Sequence, residues 1–420
     1  MEHQGGPFTN GASTSTPQGP PPAYESVVMG DAERKSSEFE IHVADPVKQG
    51  EGVGAYVSYK IRTKTSMSHY KSSQSEVIRR FRDFSWLFDK LHERNKGVIV
   101  PPLPEKNAVQ KYQMSTEFID QRRRALEVFI NRVACHPSLK YSPELQMFLE
   151  AQEDVWQMEV ARMNLEEGSA KKKVNATVQF FKDVQHKATN LMAGKSDDEQ
   201  EDPEYLKVRE YINHLENHLV EAHRQASRLI RKQGELGTAV GEFGQAAEKL
   251  GKFEEGALQD AFMRLGTKAG DLSTTSRDSS QRLSQNFEAP LKEFTRIMKS
   301  VKAVMIDRSN ALSLRQQAKT DLDKLRVKLN KLKGRPGIRE DQLTEMEREV
   351  EAADLRLKNA KEGYEKIVER MSEEMGRFQK DRAGEMSMVL RDFALAQAQL
   401  ASESAKGWSA LVSELQPTGA

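Results

Sequence analysis

The sequence predicts a small α+β domain followed by an all-α region of three very long helices, with a head of no regular structure in front. Three observations carry this. Apolar residues alternate with period two in short runs before position 81 and then fall at helical spacing. From Tyr205 onward they recur at steps of three and four almost to the C-terminal end. Residues 1–37 are rich in Gly, Pro, Ser and Thr, too poor in apolar side chains to offset the entropy of ordering them.

Composition narrows the function classes. The chain has 420 residues and a formal net charge of +1, so no global field points to nucleic acid, and any electrostatic role must lie in local patches. The single cysteine, Cys135, excludes an internal disulfide framework and fits a reducing compartment. No apolar run approaches the roughly 18 residues of a spanning helix, and no basic-then-apolar leader is visible. A soluble or peripheral protein is expected. Aromatics at 7% and charged residues at 30% suit long helices with narrow seams better than a thick core.

The head, residues 1–37, reads as a disordered tail. Within it Pro21-Pro22-Ala23-Tyr24 matches PPxY, whose prolines pre-set the extended helix that aromatic WW-domain grooves recognise. A WW-domain protein is a candidate partner, although so short a motif also arises by chance.

Phe39, Ile41 and Val43 then alternate, Gly50–Gly54 has turn chemistry, and Tyr56–Thr63 alternates with β-branching. With Glu76–Phe81 these make three antiparallel strands, followed by helices at about 84–95, 115–135 and 143–151. The pivot is Arg79-Arg80-Phe81-Arg82-Asp83-Phe84, where strand hands over to helix. Guanidinium forks match phosphate oxygens bidentately, and an adjacent ring can back a sugar or inositol. Basic residues at a strand end are also ordinary solvated surface. Gly97-Val98-Ile99-Val100 places three large aliphatics before Pro101-Pro102-Leu103-Pro104-Glu105-Lys106, and a helix carrying Arg122, Arg123 and Arg124 follows. From the residues alone, the aliphatics either pack inward or dip into a bilayer.

Basic strand–helix turn, proline-rich loop and arginine-bearing helix, in this order, resemble the phox-homology (PX) domain over residues 38–152. The resemblance implies binding of phosphatidylinositol 3-phosphate, with Arg80 on the 3-phosphate and Phe81 under the inositol ring. It also implies Lys106 on the 1-phosphate, Arg122 on the 4- and 5-hydroxyls, and insertion of Val98, Ile99 and Val100 into the membrane.

Residues 170–194 follow a different rule. Behind Lys171-Lys172-Lys173, apolar residues including Phe181, Val184 and Leu191 recur at three or four, and Phe180 widens the same side. This is a basic amphipathic helix of the kind that lies in a membrane interface, with Phe180, Phe181 and Val184 inserting. A helix docked on a neighbouring domain has the same pattern. An acidic linker, residues 195–203, closes the segment.

The third region is 204–415. Tyr205, Ile212 and Leu219 open a 3.5-residue repeat that continues through Leu229, Leu236, Phe243 and Leu250, with Gln233 its one polar member. At 1.5 Å per residue this helix would be roughly 70 Å long. Gly251 and Gly256 break it. A second seam runs from Leu283 through Met305 to Leu332, and Pro290 inside it predicts a bend. A tight turn at 333–337 follows, with Lys328, Lys331, Lys333 and Arg335 clustered around it. The third helix keeps heptads from Leu343 to Met371, where two steps of four form a stutter at Met375.

Three long seamed helices with tight turns resemble a BAR domain, a curved antiparallel coiled-coil dimer. PX, amphipathic helix and BAR in that order resemble the sorting nexins of the SNX-BAR group. The resemblance implies a peripheral adaptor on early or multivesicular endosomes or the trans-Golgi network. It would form tubules for retromer-linked sorting and recycling as a homodimer or as a heterodimer with a related sorting nexin. The basic cluster would be the membrane-facing tip. No paired His-Lys-Asp motif of phospholipase D type, phosphate loop or metal motif appears; no enzyme activity, cofactor, metal or nucleic-acid partner is expected. A PX-targeted coiled-coil tether or cytoskeletal linker is the alternative.

Overall fold

The computed structural model describes residues 38–51, 55–105, 115–166, 201–334 and 339–415. Pro21–Tyr24, Lys106, the amphipathic helix with Phe180, Phe181 and Val184, and Arg335 lie outside them. Strands β1 (Phe39–Gln49), β2 (Tyr56–Thr65) and β3 (Gln74–Arg80) form one antiparallel sheet in the order β1-β2-β3. The register sets Ile41 opposite Thr63 and Ile61 opposite Val77. Period two then sends Phe39, Ile41, Val43, Tyr59, Ile61 and Val77 to one buried face.

That face is covered by α1 (Phe81–Arg94), α2 (Thr116–Cys135) and α3 (Pro143–Glu150). Phe84, Leu87, Phe88 and Leu91 are the buried stripe of α1. Ser115 and Ser142 cap α2 and α3 by accepting the N–H of Phe118 and Leu145. A fourth helix, α4 (Glu153–Glu166), was not expected. It adds Trp156 to the core, edge-on to Trp86 and Phe148 at 4.9 and 5.5 Å.

The helical region consists of α5 (Pro203–Gly251), α6 (Gly256–Leu283), a π-helical turn at Ser284–Glu288, α7 (Ala289–Lys333) and α8 (Glu340–Leu415). Helices α6 and α7 run on through the π turn, so the expected three long helices are present. The π turn immediately precedes Pro290, whose missing N–H cannot continue the ordinary ladder. The acidic linker ends sooner than expected. Glu201 faces the buried guanidinium of Arg308 at 3.5 Å, Asp202 accepts the Glu204 N–H, and Pro203 is already helical. Among the described residues no helix is long and apolar enough to cross a membrane.

The seam of α5 needs correcting. Tyr205, Ile212, Leu219 and Ala226 are buried as expected, but the buried track then steps by four to Ile230, Gly237, Gly244 and Gly251. A Cβ on Gly244 would stand 2.8 Å from the Gly266 carbonyl oxygen, so glycine lets α5 and α6 approach closely. Leu229, Leu236, Phe243 and Leu250 consequently turn outward, 47–64% exposed.

The two regions are packed together. Val98 and Val100 enter the core of the first domain, while Ile99 joins Ile212, Phe294, Met298, Val301 and Met371 in the core of the bundle. All three are buried, at 3, 6 and 2% exposure, which corrects the expectation that they enter a bilayer. Alternation along an extended segment gives each domain its share. Gly97, at φ +88°, lies directly on α8, and a Cβ there would be 3.1 Å from the Ile367 carbonyl oxygen. Polar groups complete the seam. Lys96 Nζ meets Asp307 at 3.0 Å, the Ile99 N–H donates to Glu374 at 3.0 Å, and Arg132 reaches Glu385 at 2.9 Å.

Candidate lipid-binding site

Strand alternation separates the two arginines of the pivot. Arg79 lies opposite Tyr59, and Arg80 opposite Ser58. Arg79 is 1% exposed and serves the core. Its Nε and Nη1 donate to the carbonyls of Phe148 and Ile78 at 3.1 and 2.9 Å, and its guanidinium lies over Trp156 at 4.4 Å. Burial pulls its pKa down to about 10, with Asp83 and Glu153 opposing, so it stays charged at neutral pH.

Arg80 points the other way. It is the N-cap of α1, where helix N–H groups already favour an anion. Its backbone N–H donates to Asp83 Oδ2 at 2.8 Å, its Nε is 3.8 Å from Asp83 Oδ1, and its guanidinium stands over Tyr56 at 5.4 Å. Asp83 therefore orients Arg80 from behind. Burial pushes the Asp83 carboxyl up, and hydrogen bonds from the Arg80 N–H and the Trp156 indole oppose that.

Phe81, the next residue, is covered by Arg122 of α2. The Arg122 guanidinium sits 4.7 Å from the Phe81 ring centre and 4.4 Å from that of Phe118, and Nη2 donates to the Glu105 carbonyl at 3.1 Å. Beneath it, burial pushes the Tyr59 phenol up to about 12, with the Arg122 charge opposing. Of the three consecutive arginines only Arg122 serves this pocket. Arg123 is held by Asp120, Glu127 and the Val43 carbonyl, and Arg124 by Asp120. Arg122 and Phe81 thus come together, with Arg80 the residue adjoining Phe81, and Glu105, which precedes Lys106, borders Arg122. Tyr56, Asp83 and Phe118 are members that the sequence reading missed.

Two family models match, one across this geometry and one after it. A PX domain model matches residues 67–152, and a model described as "Vps5 C terminal like" matches residues 180–414, more than half of the chain. Sorting nexin 1 of Arabidopsis thaliana is 39% identical over 377 residues, covering 90% of this chain and 92% of that protein. The chain belongs to the PX-BAR sorting nexins. A second sorting nexin, sorting nexin-2 of Homo sapiens, is 27% identical over 388 residues, 90% of this chain and 72% of that one. The fold matches a solved PX-BAR sorting nexin, the SNX-BAR Mvp1 tetramer, at a TM-score of 0.57 and 18% identity, over 89% of this chain and 99% of that one.

At the turn after α7, Lys328 and Lys331 are exposed, whereas Lys333 Nζ is paired with Glu347 of α8 at 2.8 Å. The basic cluster at this turn is partly neutralised by its own neighbour.

Proposed function

We propose that this sorting nexin binds phosphatidylinositol 3-phosphate on the cytosolic face of early or multivesicular endosomes. It bends the membrane there into tubules for retromer-linked sorting and recycling. Arg80 takes the 3-phosphate at the start of α1, Phe81 supports the inositol ring, Arg122 takes the 4- and 5-hydroxyls, and Lys106 takes the 1-phosphate. The observation that carries this reading is the placement of the Arg122 guanidinium against Phe81, the residue next in sequence to Arg80. Two forks and a flat ring form a cradle for a phosphorylated ring alcohol.

The partner in membrane bending is a second copy or a related sorting nexin. The exposed stripe Leu229, Leu236, Phe243 and Leu250 repeats every seven residues along α5, the spacing of a coiled-coil seam that lacks its other half. Phe180, Phe181 and Val184 wedge one leaflet, Lys328 and Lys331 with Arg335 hold the anionic surface at the tips, and Pro21–Tyr24 offers a WW-domain ligand.

Liposome sedimentation with electron microscopy tests the reading. Wild-type protein should sediment with vesicles containing phosphatidylinositol 3-phosphate and draw them into tubules. Arg80→Ala should lose the lipid-dependent part while keeping its sedimentation coefficient in solution. Normal sedimentation of Arg80→Ala with those vesicles would remove Arg80 from the site. Binding without tubules by the wild type would leave a tether.

A further inference from the structure

We infer that the helical bundle takes part in lipid recognition: Lys299 of α7 is a positioning residue for the phosphoinositide pocket and acts through Glu105. This rests on the phosphoinositide reading of the Arg80–Phe81–Arg122 cluster. The observation is a short chain of contacts that crosses the domain boundary. Lys299 Nζ lies 3.6 Å from Glu105 Oε1, and the carbonyl oxygen of the same Glu105 accepts the hydrogen bond from Arg122 Nη2 at 3.1 Å. Arg122 in turn covers Phe81. One residue thus holds the pocket arginine with its backbone while its side chain is held by the bundle.

Two features make this a clamp for the pocket rather than a stray surface pair. Glu105 ends a run of three prolines in four residues, a stiff approach with few conformations to lose. The hydrogen bond from Arg122 goes to the Glu105 backbone, so holding the Glu105 side chain on α7 holds the acceptor of the pocket arginine in place. The pocket rim is therefore tied to α7, and its preorganisation comes partly from the bundle.

The chemistry gives a prediction of sign that simple electrostatics does not share. Glu105 is an acid beside a site for an anion. If Lys299 and Glu105 acted only through their own charges, neutralising Glu105 would strengthen binding of a phosphorylated head group and neutralising Lys299 would weaken it. If they act as a clamp, both changes weaken binding, and the double change is no worse than either single one.

The test uses the full chain and a soluble short-chain phosphatidylinositol 3-phosphate in calorimetry at low salt, which removes membrane avidity from the readout. Glu105→Gln, Lys299→Met and the double variant should each bind about two- to fivefold more weakly, as expected for a half-exposed ion pair. Lys299→Arg should restore wild-type affinity. Tighter or unchanged binding by Glu105→Gln, unchanged binding by Lys299→Met, or additive losses in the double variant would overturn the clamp. Arg80→Ala in the same assay separates the two levels. If it binds like wild type, the site reading itself fails. If it loses binding while Lys299→Met does not, only the clamp fails.

Discussion

Glu374 on α8 is the most informative single position at the domain interface. Its carboxylate is buried, accepts the Ile99 N–H at 3.0 Å, faces His136 Nε2 at 3.2 Å and is paired with Arg377. Burial opposes its ionisation, but the His136 hydrogen bond and the Arg377 charge outweigh that and hold the carboxyl below the usual range. His136 is held on its other side, where its Nδ1 accepts the N–H groups of Ser138 and Leu139 at 3.1 and 3.2 Å, and its Nε2 meets both Glu374 and Arg377. Glu374→Ala would leave the buried Ile99 N–H without its acceptor and remove the carboxylate that His136 and Arg377 share. Breaking a buried ion pair from one side costs roughly 3–5 kcal/mol. The Arg377 side chain is 31% exposed and recovers some hydration, which places the loss near the lower end, about 3 kcal/mol. Each domain keeps its own core, so the loss should appear as opening of the interface. Hydrogen exchange read by mass spectrometry should show residues 96–100 and 370–378 exchanging about a hundredfold faster, since 1.4 kcal/mol is a factor of ten. Unchanged protection at Ile99 would refute the reasoning. So would uniform acceleration across β1–β3, which would place the damage inside the first domain.

Acid should loosen the same interface. His92, facing Asp307 and Lys96, is driven by burial to a pKa of about 3, and His136 is also lowered by burial. A depressed histidine gives stability that is complete above the unfolded value near 6.5 and falls as pH drops toward the folded value. Urea unfolding followed at Trp86 and Trp156 should therefore lose about 1.4 kcal/mol per pH unit for His92 below pH 6.5, and a flat response from pH 7.5 to 5.5 would contradict it. On α5, Leu236→Asp with Phe243→Asp should dissociate the proposed dimer in analytical ultracentrifugation with helicity unchanged. Leu219→Asp, in the dry seam, should cost several kcal/mol and lower helicity as well. At the turn after α7, Lys328→Glu with Lys331→Glu should weaken binding to anionic liposomes by about 1 kcal/mol per residue or more if that turn meets the membrane as proposed. Lys333→Glu should add less, since Glu347 already holds that charge.

Where a residue's role is set by its own neighbours in sequence, it was legible. The three strands and the α1 stripe follow from period, turn chemistry and the strand-to-helix handover, whereas the meeting of Arg122 with Phe81 was expected only from the PX resemblance. The division of labour between Arg79 and Arg80 was implicit in the same alternation, because adjacent residues on a strand face opposite sides. Two signals were invisible to hydrophobic patterning. Glycine carries no apolar weight, so the closest-packed face of α5, through Gly237, Gly244 and Gly251, read as a gap while the exposed leucines read as the seam. In α4 Trp156 is buried and Val160 packs partly buried against the same core, while Val155 and Met158 are exposed, so the inward face is too short to mark a helix by periodicity. The fate of Val98, Ile99 and Val100 had no local signature at all. It depends on α7 and α8, more than 200 residues downstream, whose Asp307 and Glu374 meet that loop across 211 and 275 positions of chain.

Gly97 sets how closely the first domain sits on the bundle. The loop meets α8 at backbone distance, with a positive φ that a side chain would strain, and a Cβ would stand only 3.1–3.3 Å from Ile367 and Arg370. A larger residue is strained there and pushes the contact apart by a few tenths of an ångström. The seating of the Arg80–Phe81–Arg122 cluster on the long helices thus depends in part on an absent methyl group.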